Sequence, residues 1–204
     1  MTDKKYCYQY PHPAVTADCV IFGYDGEQLR VLLIERGAEP YKGCWALPGG
    51  FMNIDESAEE CARRELEEET GLRGIEVVQF HTASAVERDP RERVITVAHY
   101  ALVPMSEAVA GDDARNVGWF TFDKLPTLAF DHAEILPLAI EHLRHRICTT
   151  PLLLSLMPED FTVAQLATAA EAVLGTKVGR QTVRRKLLRS TAIRPISRTH
   201  FRKI

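Results

Sequence analysis

The chain has 204 residues, 46% hydrophobic and 26% charged, a composition that supports one sizeable packed core plus a small second module and excludes a fibrous or disordered chain. Residues 1–10 are polar, with Lys4 and Lys5 but no apolar signal-type segment, and no stretch approaches about eighteen apolar residues, so a cytoplasmic protein without a membrane partner is expected. The net charge of -3 conceals a split: residues 1–174 carry -13, whereas residues 175–204 carry +10 and no acidic residue, which suits the basic end to a polyanion.

In chain order, Val15 to Phe22 reads as a strand, Tyr24-Asp25-Gly26-Glu27 as a turn and Gln28 to Glu35 as the returning strand of a hairpin. Trp45-Ala46-Leu47-Pro48-Gly49-Gly50 then breaks the strand pattern with a Pro-Gly-Gly turn. Its glycine pair lets the backbone approach a ligand and leaves a carbonyl to coordinate metal. Ser57 and Glu60 have capping-box spacing, so a helix should start at Ala58 and stop at Gly71. At about 100° per residue, Ala58, Cys61, Ala62 and Leu66 define one apolar arc. Glu65 and Glu69 fall in the middle of that arc and Glu68 at its edge, whereas Glu59, Glu60, Arg63 and Glu67 point away.

Partly desolvated carboxylates this close would cost on the order of several kcal/mol unless a cation neutralises them. A hard divalent ion such as Mg2+, with Mn2+ as the alternative, suits oxygen ligands of this kind better than zinc. Arg64, one turn before Glu68, can pair with that carboxylate and fix it.

Further along, Ile75 to Ala85 and Glu92 to Val103 read as strands joined by the charged loop Glu87-Arg88-Asp89-Pro90-Arg91, with a short strand at Val117 to Phe120. Apolar residues at helical spacing predict a helix over His132–Ile147, with Asp131 and Glu134 as a capping pair and Pro137 inside it. The chain changes character after Thr149-Thr150-Pro151, so a domain boundary is placed near residue 150, giving domains 1–150 and 151–204. Pro158 to Phe161 introduces a helix capped by Thr162 and ended by Gly175; a second helix, Arg180–Arg189, and a basic hairpin, Ile193–Ile204, follow. Two helices joined by a short turn form a helix-turn-helix arrangement. The second helix would pack Val183, Leu187 and Leu188 inward and turn Arg180, Gln181, Arg184 and Arg185 toward a DNA groove or its phosphates. The five cysteines (Cys7, Cys19, Cys44, Cys61, Cys148) lack metal or paired spacing and read as reduced thiols.

Gly50, Glu56, Arg64, Glu65, Leu66, Glu68, Glu69, Gly71 and Leu72 together resemble the Nudix box, G-x5-E-x7-R-E-U-x-E-E-x-G-U with U aliphatic, without a departure. The resemblance implies an α/β fold, the Nudix α/β/α sandwich around a mixed sheet, and cleavage of a nucleoside diphosphate linked to another moiety. It implies Glu65, Glu68, Glu69, Glu56 and the Gly50 carbonyl as metal ligands, with Glu68 or Glu69 as base and Arg64 beside them. Outer stretches, including Leu32 to Gly37, Arg88 to Arg91 and Leu128 to Leu136, are similar to the Nudix-related transcriptional regulators of NAD metabolism and their ADP-ribose pyrophosphatase relatives. This likeness implies an ADP-ribose-like nucleotide met by Arg36, Arg88, Arg91, Phe130 and His132. It also implies a C-terminal winged helix binding double-stranded DNA as part of a homodimer.

Overall fold

The computed structural model describes residues 8–105, 114–147 and 151–204. Cys7, Cys148 and the expected boundary near residue 150 lie outside the described residues.

The first hairpin forms as expected and is the spine of the larger domain. Strands β1 (Ala14–Tyr24) and β2 (Leu29–Arg36) pair antiparallel, with Ile21 opposite Leu32. Asp25 closes the turn by accepting from the backbone N–H groups of Glu27 and Gln28, both at 2.8 Å. β1 is buried on both faces, which suits a central strand flanked by helices. On its other side it runs parallel to β6 (Val94–Pro104), which pairs with β5 (Val78–Ala83) at the edge.

Two short strands, β3 (Trp45–Ala46) and β4 (Gly49–Phe51), stand where the sequence shows only a Pro-Gly-Gly turn; β3 pairs with β2 and β4 with β1. Strands of two and three residues carry no periodicity, and their partners alone define them. β7 (Ala114–Thr121) is longer than expected and completes the seven-stranded mixed sheet along β2.

Helices α1 (Ala58–Thr70) and α2 (His132–Ile147) cover opposite faces, because residues of alternate parity on β1 point to opposite sides. Ala17, Cys19 and Ile21 pack with Cys61, Ala62 and Leu66 of α1. Val20 and Phe22 pack with Ile135, Leu136, Ala139 and Leu143 of α2. The expected bounds of both helices hold. Ser57 caps α1 in a full capping box with Glu60, and Gly71 ends it at φ 72°. At α2 the expected Asp131/Glu134 side-chain cap gives way to another contact: Asp131 commits both carboxylate oxygens to Arg88, and only its backbone carbonyl accepts from Glu134.

A 3-10 helix (Pro151–Leu156) leads into the second unit. There β8 (Asp160–Thr162), α3 (Val163–Leu174), α4 (Arg180–Leu187), β9 (Ile193–Pro195) and β10 (His200–Lys203) form a helix pair beside a three-stranded sheet ordered β8-β10-β9. Residues 160–162, expected as a helix lead-in, form the third strand of the wing because Phe161 stacks on Phe201 across the pair. Thr162 and Gly175 cap α3 as expected. Leu188, expected to pack inward, is exposed because α4 ends one residue before it. Among the described residues no helix is long and apolar enough to cross a membrane.

Ser57→Ala removes the side-chain half of the capping box and should lower unfolding free energy by about 1 kcal/mol in urea denaturation. An unchanged midpoint would show that the sheet alone fixes the start of α1.

Candidate functional site

The inward wheel of α1 forms as expected. Glu69 is buried and its Oε2 accepts from the Gly49 backbone N–H at 2.8 Å. Glu65 packs so closely against Gly50 that an added β-carbon there would push its carboxylate aside. Glu68 stands at the exposed edge.

Arg64 sits among these groups. Its guanidinium donates to Glu56 at 2.6 and 3.0 Å, to Oε1 of Glu65 at 2.7 Å, to Oε2 of Glu68 at 2.9 Å and to the Phe51 carbonyl at 3.2 Å. The expected set of Glu56, Glu65, Glu68, Glu69 and the Gly50 carbonyl is therefore not a closed cage. Among the described residues no three acidic, His or Cys side chains enclose an ion, since Arg64 stands between them and the Gly50 carbonyl faces the Cys61 thiol at 3.7 Å.

The donor chemistry still fits a hard cation. Arg64 takes one oxygen each of Glu65 and Glu68 and leaves the second, held in orientation by the first. Burial raises the Glu65 carboxyl above its ordinary range, against the opposing pull of Arg64. The Arg64 guanidinium holds Glu56 down to about 2. Burial pushes the Cys61 thiol up to about 12 and the Cys19 thiol also upward, so both are inert thiols; Cys19, Cys44 and Cys61 are free, as expected.

Beyond β4 a cavity of ≈ 100 Å³ opens between the start of β1, the loop 87–91 and the N-terminus of α2. All five residues expected to meet a nucleotide line this cavity, and Arg36, Arg91 and His132 gather around Phe130. That residue holds a left-handed backbone (φ 53°), a conformation a bulky residue adopts only when its surroundings enforce it. Arg36 and Arg91 lie 4.8 and 5.6 Å from its ring centroid, Tyr41 meets its edge at 4.9 Å and His132 lies at 5.4 Å.

The two guanidinium groups face a common space, and burial together with the Arg91 charge lowers the Arg36 pKa. Arg91 is braced by Asp89 at 2.7 and 3.0 Å, whereas Arg36 donates to the Pro40 carbonyl at 2.8 Å. Arg88 lines the wall but differs in kind: it is buried and grips Asp131 bidentately at 2.7 and 2.9 Å, which ties the loop to α2. His132 accepts the Leu47 N–H on Nδ1 at 3.0 Å, and burial lowers its pKa, so the neutral ring carries its proton on Nε2.

Sequence reading passed over Thr16 and Asp18 on the cavity floor and Tyr41 at its rim. Asp18 did leave a signal, a carboxylate in the middle of a buried strand.

In the second unit Arg180, Gln181, Arg184 and Arg185 are all exposed on α4, while Val183 and Leu187 are buried. Arg184 also donates to the Arg198 carbonyl at 3.3 Å, joining α4 to the wing.

The mixed sheet sandwiched by two helices, with an Arg-clamped acidic helix at a glycine strand, is the Nudix fold, and residues 12–139 match the NUDIX domain family; the chain belongs to it. Residues 153–203 match the NrtR DNA-binding winged helix domain. Within the family the chain is homologous to NtrR/NrtR regulators and to ADP-ribose pyrophosphatases. It is 34% identical to the ADPR responsive transcriptional repressor NtrR of Acinetobacter baylyi over 90% of this chain and 76% of that one. It is 43% identical to the ADP-ribose pyrophosphatase of Methanocaldococcus jannaschii over 65% of this chain and 76% of that one. Among solved structures, Shewanella oneidensis NrtR complexed with a 27mer DNA superposes with a TM-score of 0.77 at 29% identity, covering 93% of this chain and 92% of that one.

The depressed Glu56 pKa sets an acid limit. A carboxyl ordinarily near 4.5 and held at about 2 contributes stability in full above pH about 4.5, and that contribution is lost as pH falls through about 2. In EDTA, urea denaturation across this interval should show the wild type losing more stability than Glu56→Gln, which carries no such charge; parallel pH curves would contradict the clamp.

Proposed function

We propose that residues 1–150 form a Mg2+-dependent pyrophosphohydrolase domain that cleaves an ADP-ribose-like nucleoside diphosphate, Mn2+ being the alternative metal. The observation that carries this reading is the acidic cluster of α1, complete and oriented by Arg64 beside the Gly49-Gly50 strand. The name of the M. jannaschii relative points to the same substrate.

Glu65, Glu68, Glu69, Glu56 and the Gly50 carbonyl would hold the cation. Bound there, a divalent ion neutralises charge on the diphosphate oxygens. Arg36 and Arg91 bind the diphosphate, Phe130 and His132 shape the pocket, and Arg88 fixes the loop that presents Arg91. Water attacks phosphorus, the phosphoanhydride bond breaks, and one of Glu68 and Glu69 takes the proton of the attacking water. The products are a nucleoside monophosphate and a sugar phosphate.

With Mg2+, ADP-ribose should yield AMP and ribose 5-phosphate by chromatography, and Glu68→Gln should lower kcat by about 10²-fold or more. No turnover of any nucleoside diphosphate by the wild type, or full turnover by the variant, would sink the catalytic reading.

A second reading, compatible with the first, has its own support in the winged helix and in the NtrR relative that spans 90% of the chain. In it residues 151–204 bind double-stranded DNA within a homodimer. The Nudix domain serves as the nucleotide sensor, favouring one dimer geometry when occupied. Arg180, Gln181, Arg184 and Arg185 enter or flank the groove. DNA affinity should fall steeply with salt, and each phosphate contact removed, as in Arg185→Ala, should reduce the slope of log K against log salt by about 1. Salt-insensitive binding, or none, would count against it.

A further inference from the structure

The floor of the cavity contains polar groups with unmet hydrogen bonds that the diphosphate reading does not use. Thr16 is buried, and its Oγ1 has no hydrogen-bond partner. Two residues on, and therefore on the same face of β1, Asp18 is also buried. Among the described residues it receives no hydrogen bond: the nearest cationic atoms are Arg88 Nη2 at 3.6 Å and His132 Nε2 at 3.8 Å. The His132 Nε2–H thus faces the Asp18 carboxylate across a gap too long for a direct bond.

A native fold rarely leaves such groups unpaired, and their cost is recovered when a ligand supplies the missing partners. Together the floor offers a carboxylate acceptor, an imidazole N–H donor and a hydroxyl that can do either. Only a group that both donates and accepts satisfies all three, and a sugar hydroxyl does so. The Asp18 charge disfavours a phosphate at this depth, whereas the Arg36 and Arg91 cations nearer Phe130 favour one. The same cavity of ≈ 100 Å³ is lined by Thr16, Asp18 and His132 and by Arg36, Arg91 and Phe130, so one ligand can reach both sets of groups.

We propose that Thr16, Asp18 and His132 form a sugar-hydroxyl subsite that reads the group attached beyond the diphosphate. The subsite selects nucleoside diphosphates carrying a neutral polyol over those ending in phosphate. This rests on the reading of the pocket as a nucleoside diphosphate site.

The test is calorimetric titration of the full chain in EDTA, where turnover is suppressed, with ADP-ribose and with ADP, which lacks the terminal sugar. Wild type should bind ADP-ribose more tightly than ADP. Thr16→Val should weaken ADP-ribose by about tenfold and leave ADP unchanged, and Thr16→Ser, which keeps the hydroxyl, should behave as wild type. If Thr16→Val proves unstable in thermal melting, Thr16→Ser and His132→Gln compared on the two ligands carry the test, the latter losing the preference for ADP-ribose. Equal loss on both ligands, or no loss on either, overturns the subsite while leaving the nucleotide pocket standing. Binding of ADP with the same affinity as ADP-ribose by the wild type overturns it as well, and binding of neither removes the nucleotide reading and the subsite together.

Discussion

The guanidinium of Arg64 is the interaction on which the site depends. Three glutamates of this cluster, drawn toward one another by the pitch of α1 and by the return of Glu56, would repel one another, and the half-buried Glu65 would resist ionisation. A single guanidinium among them offsets that repulsion, holding Glu56 by both oxygens and Glu65 and Glu68 by one each. A lysine could supply the charge but not the planar fork. The acidic cluster is thereby held together by the protein's own charge. The same arrangement ties α1 to β4 through the Phe51 carbonyl, while Glu69 secures Gly49 from the other side.

The cavity beside Phe130 and the winged helix are joined through one helix. α2 begins at His132 in the cavity wall and runs for sixteen residues, about 24 Å, to Ile147. Near its far end Arg144 donates to the Val173 carbonyl at 2.9 Å, on the last turn of α3. Buried side chains from β1, α2, the 3-10 helix and α3 belong to one continuous apolar core, including Phe22, Leu143, Leu154 and Leu166. A ligand that moves the start of α2 therefore acts on a helix packed directly against the DNA-binding unit, which gives the regulatory reading a physical route.

Much of this architecture is written locally. The capping boxes at Ser57 and Thr162, the glycine stops at Gly71 and Gly175 and the inward placement of Glu65 and Glu69 follow from spacing alone, because a helix converts sequence separation into angle. The basic exposed face of α4 follows the same rule. The misses share a cause. β3, β4 and β8 are too short to show a period and exist through their partners. Asp131 satisfies a local rule for helix capping but goes to Arg88, 43 residues away, because a buried guanidinium requires a carboxylate more strongly than a helix start does. Leu188 follows the apolar spacing of α4 but falls past its end.

The sequence by itself determined the acidic helix, its arginine and the charge separation between the two modules, since each depends on residues within a few turns of one another. Only the tertiary structure decided that Phe130 would gather Arg36 from the end of β2 and Arg91 from a distant loop. It also decided that Arg88 would brace the pocket wall, that the Thr16 hydroxyl would stand without a partner at its floor and that Asp18 would lie beside Arg88 and His132 there. These arrangements join strands and loops separated by up to a hundred residues or more, and no local periodicity encodes which of them meet; packing around the parallel β1–β6 pair does.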